Sequence, residues 1–139
     1  MRKMGVLTQL EDEFKNEEVE KFLHFFRVLC DNFEPLIIKI SESKERYKEG
    51  LRELDTLSHN LSWAAKRLNL TQIVDFCTFC EDLLAEAAKF EGPASDEFVE
   101  WLLLLSEQFE RYCQNYEKDE LSLTFFNPNL AIIPSILSK

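Results

Sequence analysis

The 139-residue sequence predicts an all-α fold, an antiparallel up-and-down four-helix bundle with an extra N-terminal helix and an extended apolar C-terminal tail. Three observations carry that prediction. Apolar residues recur at spacings of three and four from about Asn16 to Glu120, the period of an amphipathic helix. The chain has 3 Gly and 4 Pro, too few for the turn-dense sandwiches and barrels. The stretches between periodic segments are short, which favours antiparallel neighbours.

The first segment, Glu17 to about Asn32, carries Val19, Phe22, Phe26 and Leu29 on one side. Pro35 is expected to kink or restart the helix, since proline suits a first turn and not an interior. The second segment runs to about Lys48 with Leu36, Ile37, Ile40 and Tyr47, and Gly50 suits a helix end or tight connection. The third, about Leu51 to Leu68, has the stripe Leu54, Ser58, Leu61, Ala65 and Leu68. Asn69–Leu70–Thr71 breaks it, with Thr71 as the expected cap of a fourth helix, about Gln72 to Phe90. Gly92–Pro93 ends that helix, and Ser95–Asp96–Glu97 opens a fifth, to about Lys118. The bundle spans about 17–118. In the tail, 120–139, Leu123, Phe125, Phe126, Ile132 and Ile133 are too apolar to sit in water unpaired and are expected to fold back on the bundle. Residues 1–139 read as one domain.

Charge and composition exclude several function classes. The formal net charge is −10, which opposes a nucleic-acid backbone and an anionic membrane surface, so neither is an expected partner. The beginning of the chain lacks a signal-peptide h-region, and apolar runs such as Trp101–Leu105 fall far short of a bilayer span. A cytoplasmic monomer is expected. There Cys30, Cys77, Cys80 and Cys113 read as free, mostly buried thiols, with no bound zinc, no other cofactor and no intramolecular disulfide.

Among residues that could carry chemistry, no Glu-x-x-His pair supports a di-iron site, and no phosphate loop or nucleophile elbow is present. His24, set among Phe22, Leu23, Phe25 and Phe26, reads as a boundary residue without a function. Cys77 and Cys80 form a C-x-x-C inside a helix, whereas redox pairs favour a helix N-terminus and zinc needs further ligands. Cys30 and Cys113 converge only if facing helices bring them together, and buried packing is the favoured reading. His59 lies about 140° from the buried direction of its helix at about 100° per residue, out toward water. Arg52 and Lys66 share that line at heptad spacing, and Ser62 and Trp63 lie one turn on. An exposed imidazole between two cations can accept a phosphoryl group and have its charge screened. On geometry alone, a solvated face with an incidental histidine is the simpler reading.

The segment His59-Asn-Leu-Ser-Trp-Ala-Ala-Lys-Arg-Leu-Asn, followed by the apolar stripe from Leu70 to Leu83, resembles the histidine phosphotransfer (HPt) domain family. His59, Leu61, Ala64, Ala65 and Leu68 match the family pattern around its phospho-accepting histidine, and the helix order matches over about 17–118. Ser62 departs from the usual Lys, Trp63 from the usual Gly, and Asn69 from the Gly at the helix end.

The resemblance implies phosphorelay signal transduction. His59 accepts and passes a phosphoryl group to or from a receiver domain, with Lys66 and Arg52 stabilising the transferring charge. Ser62, Trp63 and Arg67 form the partner-binding surface. The chain is then a phosphotransfer intermediate rather than a turnover enzyme, and the receiver holds the Mg²⁺. The partner is a response-regulator receiver domain, a histidine kinase or both. The alternative is a pseudo-HPt adaptor that binds such a partner without phosphotransfer, because an indole at the Gly position can cover the imidazole or obstruct in-line attack. A third class is a metal or thiol-redox bundle built on the four cysteines.

Overall fold

The computed structural model describes residues 4–132 and residue 134, and these are all-helical apart from their connections. The helices are α1 (Val6–Glu13), α2 (Asn16–Glu42), α3 (Lys44–Arg67), α4 (Thr71–Ala87) and α5 (Asp96–Glu117), followed by a 3₁₀ turn at Pro128–Ala131. Ile133, one of the tail residues expected to be buried, lies outside the described residues. Among the described residues no helix is long and apolar enough to cross a membrane.

Two expected breaks fall elsewhere. Pro35 does not interrupt α2, which continues through it to Glu42. Pro35 stands on the exposed side, as does Asp31, so the carbonyl deprived of its helical donor faces water and the cost stays small. The break comes at Ser43, whose extended backbone (φ −158°, ψ 169°) reverses the chain and whose hydroxyl accepts from the Arg46 amide at 3.2 Å. Gly50, expected at a connection, is buried inside α3. A Cβ there would sit 2.7 Å from Ile40 Cγ1, so glycine allows α2 and α3 to approach closely beside their joint.

The third-helix stripe behaves as read: Leu54, Ser58, Leu61, Ala65 and Leu68 are buried, as are Ile73, Cys77 and Cys80 of α4. Asn69 takes the left-handed conformation (φ 56°) that ends α3. Thr71 is the first helical residue of α4 rather than its cap; the capping position is Leu70, which has no side-chain acceptor. Ser95 caps α5 by accepting from the Phe98 amide at 3.2 Å.

Helix α2 packs against both α3 and α5, and α3 against α4. Large rings fill the space between α2, α4 and α5. Phe109 of α5 meets Phe26 and Phe33 of α2 and lies 4.4 Å, centroid to centroid, from Phe76 of α4. Phe76 also meets Tyr112 edge-on at 5.3 Å.

The tail folds back on α4 and α5: Leu123 and Phe126 pack there as expected, and Leu130 is a further anchor. Phe125 is 94% exposed and Ile132 69%, whereas Leu130 is fully buried. Phe126 is half-exposed, its ring edge-on at 5.9 Å to both Phe76 and Phe79. Polar groups fix the path: Trp101 Nε1 donates to the Leu130 carbonyl at 3.0 Å, and the buried Gln108 side chain donates to the Phe125 carbonyl and accepts from the Asn127 amide. Asn115 accepts from the Thr124 amide at 2.7 Å.

The extra N-terminal helix expected over about 17–32 is the first half of α2, and α1 lies before it, outside the segments that periodicity marks. Asp119, just past α5 in a left-handed conformation (φ 50°), accepts from the amides of Leu7 and Thr8 and from the Thr8 hydroxyl. It serves as a capping carboxylate supplied from the other end of the chain. Gly5 is required there, since a Cβ would meet Asp119 at 2.2 Å.

Two predictions follow from these anchors. Leu130→Ala should cost about 2–5 kcal/mol in chemical denaturation, the range for a fully buried leucine; truncation after Glu120 should lower Tm at least as far. The Thr8 contacts hold the Asp119 carboxyl below its ordinary range, so its contribution is complete above the unfolded value and is lost as pH falls through the depressed folded one. Protection of the Leu7 and Thr8 amides, relative to intrinsic exchange at each pH, should therefore persist to below the ordinary aspartate range and should be absent throughout in Asp119→Ala.

Candidate functional site

The surface of α3 opposite its buried stripe carries His59. Because α3 lies against α2 on one flank and α4 on the other, its buried arc is wide and its exposed strip narrow. His59 occupies that strip with its side chain 73% exposed. Its Nδ1 lies 3.4 Å from Oε1 of Glu81 on α4. The ring is thus approached from the α4 side and open elsewhere.

Glu81 is a half-buried carboxylate in an acidic setting. Burial is the main cause that pushes its pKa up, with Asp55 adding to it, while His59 and Lys66 pull it down. The four side chains therefore share one field: Asp55 and Glu81 negative, Lys66 positive, His59 between them. Arg52 and Lys66 are both exposed and each stands about 10 Å along the helix axis from His59, at about 1.5 Å per residue; only Lys66 acts on Glu81.

Ser62 is buried and presents no surface to a partner. It falls inside the wide arc that α3 buries against its neighbours, one position past Leu61. Trp63 is 45% exposed and leans toward α2, with Lys21 and Arg67 each 5.2 Å from its ring centroid. Arg67 is also paired with Glu18 of α2 at 2.6 Å. The indole is gripped by cations on the α2 flank while His59 turns to the α4 flank, so it leaves the imidazole uncovered.

Beneath His59, the Ser58 hydroxyl is buried with no oxygen or nitrogen partner among the described residues and faces the Cys77 and Cys80 thiols. Burial pushes Cys77 up to about 12 and Cys80 well above its ordinary value, so both remain thiols. The C-x-x-C pair is packing between α3 and α4, and its small side chains allow the helices to come close. His24 is exposed, its ring 5.9 Å from that of Phe25.

Glu81 and Asp55 were missed by motif reading. A signal existed: His59 and Glu81 stand at nearly equal chain distances before and after the Asn69–Leu70 turn, which in a helical hairpin places them side by side. Asp55 lies four residues before His59, on the same helical face.

The arrangement can hold an imidazole in one orientation, with one nitrogen toward a carboxylate and the other toward solvent. No family model, curated protein or solved structure matches this chain.

Proposed function

We propose that the protein is an HPt-like phosphotransfer module, its α2–α5 forming an up-and-down four-helix bundle that presents His59 to a receiver domain in the cytoplasm. The observation that carries the reading is the pairing of an exposed His59 with Glu81. With Nδ1–H directed at the carboxylate, the Nε2 lone pair faces solvent. It attacks the phosphorus of an aspartyl phosphate on the partner in line: the N–P bond forms, the O–P bond breaks and the aspartate leaves as carboxylate. The imidazole then carries positive charge, which Glu81 stabilises, while Lys66 faces the incoming phosphoryl oxygens. Any metal at the transferring group is held by the partner, whose class is a response-regulator receiver or a histidine kinase.

The Trp63 platform favours docking as part of the same function. An indole held between Lys21 and Arg67 is a preformed aromatic anchor of the kind that dominates interfaces. A pseudo-HPt adaptor would use the same platform without the chemistry, and the burial of Ser62, which leaves no cation at that point of the motif, is the observation on its side.

The test is phosphoryl acceptance from a panel of phosphorylated receivers, read as acid-labile phosphate. Wild type should accept and His59→Gln should not, while both bind the receiver equally. Equal incorporation in the two would remove His59 from the mechanism; no incorporation in either, with binding retained, would leave the adaptor. Trp63→Gly should weaken receiver binding rather than increase acceptance.

Glu81→Gln should slow transfer by about a hundredfold, the scale of a positioned acid–base partner. Its effect on stability should have the opposite sense. Because burial raises the Glu81 pKa in the folded protein, the folded state holds its proton more tightly and stability falls as pH rises from the unfolded to the folded value. Glu81→Gln removes that penalty, so Tm at neutral pH should be unchanged or higher.

A further inference from the structure

Away from His59, the α2–α5 interface brings together a second set of reactive side chains. Cys30 of α2 and Glu110 and Cys113 of α5 place two sulfurs and a carboxylate oxygen within 4.8 Å of one another. Glu110 and Cys113 are three residues apart and project from one side of α5. Cys113 is fully buried, while Cys30 and Glu110 are half-buried. Those two also line a cleft of about 840 Å³ together with Asp31, Glu34 and Glu107. The cleft gives a route from solvent, and its carboxylates attract cations.

We propose that Cys30, Glu110 and Cys113 bind a thiophilic divalent cation of the zinc class, with the fourth coordination position open to the cleft. Two thiolates and one carboxylate make a mixed set suited to zinc, whereas calcium and magnesium require oxygen throughout. Bonds of about 2.0–2.3 Å put the ligands of a tetrahedral zinc roughly 3.3–3.8 Å apart, a contraction that side-chain rotation supplies. Binding is an exchange without redox change: each thiol gives its proton to solvent and its sulfur forms a bond to the cation.

Arg27 holds both Glu110 oxygens at 2.9 Å and also pairs with Glu117. Its hold on Glu117 lets Glu110 share an oxygen with the metal. Two thiolates and Glu110 carry three negative charges; the divalent cation offsets two of them, while the Arg27 guanidinium is shared by Glu110, Glu117 and Asp31.

The full chain, reduced and metal-free, is titrated with Co²⁺ and then Zn²⁺ under anaerobic conditions. The expected result is one Co²⁺ per chain with a sulfur-to-cobalt charge-transfer band, release of two protons, displacement by Zn²⁺ and a higher Tm. Cys30→Ser should abolish the band, Glu110→Gln should weaken binding by about tenfold or more, and Cys77→Ser should change nothing. Cys113→Ser should also abolish it; if that buried substitution fails to fold, the half-exposed Cys30 carries the test. Absence of the band in folded wild type, its persistence in Cys30→Ser, or formation of a Cys30–Cys113 disulfide in the presence of stoichiometric Zn²⁺ would overturn the proposal.

Discussion

The ring of Phe109 lies against Phe26, Phe33 and Phe76 at once, and the positions of the other helices depend on that contact. Rings of this size cannot be closed over by two helices in tight contact, so α4 and α5 meet through aromatic side chains. The gap is finished by Phe126 and Leu130 from the tail. On the other side of α2 the contacts are small. Gly50 sits under Ile40, and Ser58 and Ala65 of α3 belong to the same buried layer as Cys77 and Cys80 of α4. Close approach there is what brings a carboxylate on α4 to the imidazole on α3. The molecule is thus wide where it is aromatic and narrow where it carries the candidate chemistry.

The difference between these two flanks explains which features the sequence made legible. The α3 stripe was readable because a regular apolar spacing needs no knowledge of neighbours, and with it the exposure of His59. Pro35 and Gly50 were misread because their usual local meanings yield to position: Pro35 faces water, while Gly50 is needed for packing against α2. Helix α1 was invisible for a similar reason. Its eight residues would be marginal alone, and the carboxylate that completes its first turn comes from Asp119. In the tail, hydrophobicity correctly required docking and marked Leu123 and Phe126, but not Leu130, since hydrogen bonds with Trp101, Gln108 and Asn115 set a path that buries Leu130 and leaves Phe125 outside. Glu81 carries no motif and becomes visible only when the α3–α4 hairpin is given its register.

Two clusters of polar groups in this structure follow different logic. At the tail, Gln108 and Asn115 are buried and matched to backbone groups, which makes the path of the chain specific. At the α2–α5 interface, Arg27 is bound by two carboxylates from one helix, Glu110 and Glu117, and this clamp fixes the axial register of α2 against α5. Ser58 is the exception, a buried hydroxyl facing sulfur rather than oxygen, directly below the residue proposed to react. Such a group costs stability, and its small size contributes to the narrow α3–α4 spacing.

The contacts of Asp119 with Leu7 and Thr8 join positions 112 and 111 residues apart. On a ribosome, a segment whose partner is encoded that far downstream has nothing to dock on until nearly the whole domain has emerged. The first turn of α1 is therefore completed last, after α2 to α5 have had time to collapse around their rings. A nascent chain stalled before position 119 would display Val6, Leu7 and Leu10 as an unshielded apolar edge, open to chaperones, and synthesis past that position would withdraw it.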